Sequence, residues 1–267
     1  MRIIRYEDET GTVRCASLQP DGSAVRVVGD ILGSFEVTTE PAHVLKLLAP
    51  VVPTNVLGIG RNYAVHAPEG HVPPPDYPIV FMKATTAVQD PGAPIVLPRH
   101  LPSNEVDYEC ELAVVIGRRC KDVAPERALD YVLGYTCAND VSARDWQDRW
   151  GGGQWWRGKS FDTFAPLGPC LVFKDEIPDP SALRVRTILN GEVMQDASTA
   201  DLIFDIRALI AFLSGDTTLL PGTVILTGTP SGTGASRKPQ VFLRAGDTVT
   251  VDIDGIGALV SPVVAEA

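Results

Sequence analysis

Glycine and proline punctuate this chain at short intervals, 24 and 22 of them in 267 residues, and the apolar runs between them are brief. Such spacing leaves little room for long helices and favours a succession of strands and turns. VLGIG, PIVFMK, ELAVVIG, LGYTCAND, CLVFK, LRVRTILNGEV, TVILTGT and DTVTVDIDGIGALV all read as strands. Two segments read as helices. PERALDYV carries Pro125 in its first turn, and DLIFDIRALIAFLSG repeats apolar residues at 202, 203, 206, 209, 210 and 213 before Gly215 stops it. The expected class is β-dominated α+β. Residues 1–50 read as a small β-rich N-terminal subdomain, with MRIIRYE, TVRCASL and AVRVVG separated by turn signals and a brief helix from His43 ending at Pro50. Residues 51–267 form the main domain.

Charge narrows the function. The net charge is -10 and the basic residues are scattered, which argues against nucleic acid or an anionic membrane as partner. No run reaches the ~20 apolar residues of a membrane span, and the start turns acidic before any apolar targeting segment develops. The expectation is a soluble, cytoplasmic protein. Five cysteines without a C-x-x-C pair read as reduced core thiols.

Within DYECELAVVIG, Glu109 and Glu111 stand two residues apart at the entrance to a buried run. On a strand both point to one face, while Cys110 and Leu112 point to the other. A carboxylate pair held that close keeps a proton, finds a cation or binds a metal. Asp140 ends the strand LGYTCAND and adds a third hard oxygen, an inventory suited to Mg²⁺ or Mn²⁺. Histidines 43, 66, 71 and 100 do not pair at zinc-ligand spacing. Ion pairs with Arg118, Arg144 or Lys159 are the structural alternative.

Other residues carry weaker signals. His66 and Glu69 in GRNYAVHAPEG are spaced for a carboxylate to orient an imidazole, within a proline-broken segment suited to cover a site. GQWWRGKS satisfies the phosphate-loop pattern literally, but a charged aromatic stretch precedes it and Pro166 and Pro169 follow where a helix would have to run. Its Lys159 therefore reads as a loop lysine able to meet an anion beside a metal. TGTPSGTG leaves a strand with glycines that let backbone N–H groups approach an anion, and Thr229 adds a hydroxyl. Trp146, Trp150, Trp155 and Trp156 crowd the stretch between Asp140 and Lys159, as pocket lining or interface anchors.

GIGRNYAVHAPE, PIVFMKATTAV, NEVDYECELAVVIG, GYTCANDVSARDWQ, QWWRGKSFDTFAPLGP, LNGEVMQ and PGTVILTGTPSGTG, in this order, resemble the fumarylacetoacetate hydrolase (FAH) superfamily. The resemblance spans about residues 52 to 265, and is nearest to the short FAH-domain-containing proteins of the superfamily. It implies a mixed β-roll catalytic domain that forms a homodimer, with Glu109, Glu111 and Asp140 holding Mg²⁺ or Mn²⁺. It also implies a His66–Glu69 dyad on a lid, a catalytic Lys159, and Arg144, Gln147 and Thr229 in contact with substrate. Pro68 and Gly70 depart from the pattern within the lid turn. The implied substrate is a small 2-oxo acid. The leading expectation is hydrolysis of a C–C bond in an acylpyruvate-type 2,4-dioxo acid, with water activated by His66 and the enolate leaving group held by the metal. The alternative uses the same enolate for oxaloacetate decarboxylation or tautomerisation, or for isomerisation of a hydroxy-dienedioate. A two-carboxylate substrate would want a further cation, for which Arg61 and Arg157 are the candidates.

Overall fold

The computed structural model describes residues 1–64 and 73–266. The chain opens with antiparallel strands β1 (Arg2–Glu7), β2 (Val13–Leu18), β3 (Ala24–Gly29) and β4 (Phe35–Pro41), then a short β5 (Lys46–Leu48). Next come β6 (Val56–Gly60), β7 (Ile79–Lys83), β8 (Val88–Gln89), β9 (Ile95–Leu97), β10 (Val106–Asp107) and β11 (Cys110–Ile116). The middle of the chain supplies β12 (Val132–Asn139), β13 (Ser142–Ala143), α1 (Trp156–Lys159) and β14 (Ala165–Phe173). The last part gives β15 (Arg184–Leu189), β16 (Glu192–Ser198), α2 (Ile206–Ser214), β17 (Val224–Leu226), β18 (Thr248–Ile253) and β19 (Gly257–Ala265).

A twelve-stranded sheet runs in the order β4-β3-β2-β1-β14-β12-β11-β17-β6-β7, with β5 on β1 and β8 on β14. Five strands, β16-β15-β18-β19-β9, form a second sheet, and β10 pairs with β13. Every residue of β11 is buried, as expected of a strand covered on both faces. Its two faces join different cores. Leu112, Val114 and Ile116 pack with Leu209 and Ile210 of α2 and with Val251 and Ile253 of the second sheet. Ala113 and Val115 pack with Leu167, Leu171, Val224 and Leu226.

This β-dominated, mixed-sheet fold matches the expected class, and three local expectations are corrected. The segment after His43 is strand β5 rather than a helix, because its backbone pairs with β1: Leu45 N–H donates to Glu7 O, and Leu48 stands opposite Arg5. PERALDYV forms a 3-10 helix over Pro125–Tyr131, since the Tyr131 carbonyl accepts from Gly117 N–H and the chain enters β12 at once. The later helix begins only at Ile206. Asn62 takes the N–H groups of Ile203 and Phe204 and keeps them out of the helix, and Asp205 then caps the first turn through Ala208 N–H. All five cysteines are free thiols. No helix among the described residues is long and apolar enough to cross a membrane.

Candidate active site

Strand pairing brings the three acidic residues together. Cys110 of β11 stands opposite Asn139 of β12, so Glu109 and Asp140, one step beyond each, are neighbours; Asp140 N–H donates to Glu109 O at 3.0 Å. The Asn139 side chain accepts from Glu109 N–H, which fixes the turn of backbone ahead of β11. Glu111 follows on the same face. One carboxylate oxygen from each of Glu109, Glu111 and Asp140 lies within 4.8 Å of the others, and all three residues are buried.

Two of the three are balanced by cations. Lys159, at the end of α1, donates to Glu109 Oε2 at 2.7 Å and Asp140 Oδ2 at 2.6 Å. Lys83, at the end of β7, donates to Asp140 Oδ1 at 2.5 Å and to Val141 O at 3.0 Å. Arg144 bridges Glu109 Oε1 at 2.7 Å and Asp107 Oδ2 at 2.8 Å, and its Nη1 donates to Gln147 Oε1. Glu111 instead accepts a backbone N–H, from Gly228 at 2.6 Å.

The electrostatics follow from this division. Burial pushes the Asp140 carboxyl up, but Lys159 and Lys83 outweigh it and hold it at about 2. Burial, with Asp140 and Glu109 nearby, drives Glu111 well above the ordinary carboxyl range. Burial lowers Lys83 to about 8, with Asp140 opposing the fall. For Lys159 burial also works against the charge, yet Asp140 and Glu109 prevail and its affinity for the proton is raised. The paired glutamates thus take two of the three courses open to such a pair: Glu109 finds cations, and Glu111 favours its proton. The described residues hold no other cluster of acidic, histidine or cysteine side chains able to grip a metal. Three converging oxygens with no nitrogen or sulfur donor fit a hard divalent cation, and Glu111 is the carboxyl left for such an ion to neutralise.

A cavity of about 960 Å³ opens onto this cluster, lined by Glu109, Glu111, Lys159, Arg144, Gln147 and Thr229. Of the described residues that the resemblance assigned to the site, these six line the cavity and Asp140 is fully buried; Arg61 also lines it, whereas Arg157, Trp146, Trp150 and Trp156 do not. His66 and Glu69 lie outside the described residues. Trp155 also lines it, packed against Phe81 at 5.6 Å between centroids, while Trp150 and Trp156 are exposed. Lys159 Nζ stands 4.8 Å from the Phe81 ring centre. The lysine of GQWWRGKS thus turns its ammonium to carboxylates, at the end of the four-residue α1.

Three supporting residues escaped the sequence reading. Lys83 is one; alternation along β7 buries it on the same side as Phe81, which is the signal that a strand-end lysine after PIVFM could have given. Asp107 accepts from Gly234 N–H, Ala235 N–H and Arg144, tying the glycine-rich turn to the cluster. Gln195 accepts from Cys110 N–H and donates to Thr229 Oγ1 at 2.8 Å, fixing that hydroxyl.

Comparison with known proteins bears on the family and the fold. The family model described as fumarylacetoacetate (FAA) hydrolase, C-terminal, matches residues 55–264. An oxaloacetate tautomerase of Xenopus laevis, named as mitochondrial, is 50% identical over 221 residues, 82% of this chain and 69% of the relative. The solved structure of a 5-carboxymethyl-2-hydroxymuconate delta-isomerase from Mycobacterium smegmatis is 41% identical with a TM-score of 0.87, covering both chains fully. A fumarylacetoacetate hydrolase from Exiguobacterium antarcticum is 36% identical with a TM-score of 0.89, again over both whole chains.

Proposed function

We propose, from the premise that this chain belongs to the fumarylacetoacetate hydrolase superfamily, that it is a divalent-metal-dependent tautomerase interconverting the enol and keto forms of oxaloacetate or a close 2-oxo dioate. The reading is carried by the 50% identity to a relative named for that reaction, across 82% of the chain. It moves weight from the leading expectation, acylpyruvate hydrolysis, to its alternative.

The chemistry asks for charge stabilisation at the C2 oxygen and one proton carrier near C3. A divalent cation on Glu109, Glu111 and Asp140 would polarise the 2-oxo acid group as a Lewis acid. Lys159 supplies the second positive charge. Its raised proton affinity keeps it an ammonium, so it stabilises charge developing on oxygen and does not remove a proton from carbon. Arg144, fixed by Asp107, holds the Gln147 amide oxygen and leaves the amide N–H₂ to face a substrate oxygen. Gln195 orients the Thr229 hydroxyl for the opposite side of the same group. The role of carrying the proton at C3 goes to His66, which with Glu69 lies outside the described residues. No water is consumed and no C–C bond breaks, so a single positioned proton carrier suffices. The proposal includes a homodimer as the working form.

The test follows the ultraviolet absorbance of freshly dissolved enol-oxaloacetate with Mg²⁺, Mn²⁺ or EDTA, and quantifies pyruvate at the end. Metal-dependent loss of enol without pyruvate is the expected result. Acid release from a small acylpyruvate, with the enol untouched, would overturn it in favour of hydrolysis. That second reading has an observation of its own: about 960 Å³ is generous for a four-carbon acid and has an aromatic wall at Phe81 and Trp155.

A further inference from the structure

The site's cations are not equally available to a ligand. Lys159 and Lys83 are committed to the acidic cluster, and Arg144 to Glu109 and Asp107. Arg157 lies over the Phe161 ring at 4.0 Å and does not line the cavity. Arg61 does line it, is exposed, and makes no hydrogen bond or ion pair with another described residue. Asp148, also exposed and lining the cavity, is a carboxylate that repels a dianion there.

The backbone under Arg61 is held firmly although its side chain is not. Arg61 adopts a left-handed φ of 53°, which non-glycine residues take only when their surroundings dictate it. On one side, Gly60 lies so close beneath Trp155 that a Cβ would come within 2.2 Å of the ring. On the other, buried Asn62 donates to Phe204 O at 3.0 Å and Thr227 O at 2.7 Å, and accepts from Phe204 N–H at 2.8 Å. A Cβ on Gly228 would meet the Asn62 Cβ at 2.7 Å, and Gly228 is the donor to Glu111. Arg61 is thus mounted at a fixed place, one residue from a contact with the group that holds Glu111.

We infer that Arg61 is the specificity-determining residue for a second carboxylate: its guanidinium pairs with the distal carboxylate of a four-carbon 2-oxo dioate whose 2-oxo acid end lies at the acidic cluster. This rests on the proposed 2-oxo acid chemistry. In a four-carbon dioate the second carboxylate is only two bonds from the oxo carbon, so the cation serving it must flank the cluster. Arg61 combines that placement with an uncommitted charge. A monoanionic 2-oxo acid has nothing for it to grip.

The test compares oxaloacetate with pyruvate, which has the same 2-oxo acid end without the distal carboxylate, by calorimetric titration in Mg²⁺. Arg61→Met should weaken oxaloacetate about tenfold, the worth of one charge-assisted hydrogen bond, and move pyruvate by less than about twofold. Arg61→Lys should keep part of the preference. In turnover the KM for enol-oxaloacetate should rise by the same factor with kcat nearly unchanged. Arg61→Gly removes the guanidinium and relieves the left-handed backbone, so the same loss there excludes a folding defect. An unchanged oxaloacetate-to-pyruvate affinity ratio in Arg61→Met and Arg61→Gly would overturn the inference. Wild-type protein without tautomerase activity, but with a dioate preference that these variants lose, would sink the proposed function and support the role of Arg61.

Discussion

In the N-terminal hairpins Arg26 meets Glu40 at 2.5 Å and Arg14 meets Asp8 at 2.6 Å; at the candidate site Lys159 meets Asp140 at 2.6 Å and Glu109 at 2.7 Å. The distances are alike and the surroundings are not. The Glu40 side chain is 63% exposed, whereas those of Asp140 and Lys159 are 0% and 2% exposed. Water screens the first pair and competes for both partners, so its net worth is small. The second has been stripped of water, and each charge there depends on its neighbours for the solvation it has lost. Geometry alone would rank the two regions as equals. Burial decides which one the fold must build around and which merely decorates a hairpin.

The sharpest way to break this contrast is Asp140→Ala, which strips Lys83 and Lys159 of their shared acceptor. Unfolding free energy should fall by about 3–5 kcal/mol in urea titrations of the metal-free protein, the usual cost of orphaning a buried charge. A loss below about 1 kcal/mol would put the cluster on the same footing as the hairpin pairs. Next comes Lys159→Met, which removes a positive charge beside the developing negative charge. Here kcat/KM for enol-oxaloacetate should drop by at least about a hundredfold, while calorimetry still detects Mg²⁺ binding.

A smaller effect separates Asp140 and Glu111 from each other. Asp140, held at about 2, adds stability that is present above its ordinary value of 3.8 and is lost as pH falls through the gap between them. Glu111 has the opposite sign: its raised pKa adds stability at low pH that is lost as pH climbs through the folded-state value. In EDTA, Glu111→Gln should therefore gain stability over the wild type between pH 5 and pH 7, read as a shift in urea midpoint. A constant difference across that interval would mean that Glu111 carries no proton in the metal-free protein. The smallest effect belongs to Arg26→Ala, for which both the urea midpoint and the turnover should stay close to wild type, with at most about 1 kcal/mol lost.

Much of the site was legible in the sequence because strand alternation is a local rule. Glu109, one step ahead of β11, and Glu111 within it bring their carboxylates together as alternation predicts, and Asp140 directly follows β12. Lys83 was not legible for the converse reason: a lysine at a strand end reads as solvated until a carboxylate 57 residues away is placed against it. Asn62 likewise gave no hint of its grip on Phe204, which trims α2 at its start. Nor could local pattern show that β6 and β17 run parallel. That pairing sets residues 61 and 62 beside the turn at Gly228, across more than 160 positions of chain, and so completes the cavity. The segment after His43 was misread because seven residues of mixed apolar and basic character fit a helix as well as an edge strand, and only β1 decides between them.

The junction of β1 with β14 bears on how this protein could be shortened. Arg2 and Ile3 pair with Val172 and Leu171, so the first strand seals a flank of the great sheet that the rest of the chain leaves bare there. Ile3, Ile4 and Tyr6 are buried in doing so. A version beginning at residue 51 would retain every described group of the cavity and yet present the backbone of Leu171 and Val172 as an open seam, a template for another chain to zip onto. The opening fifty residues thus act as a selvedge: they contribute no described side chain to the cavity, and they keep the cloth of the sheet from joining its neighbours.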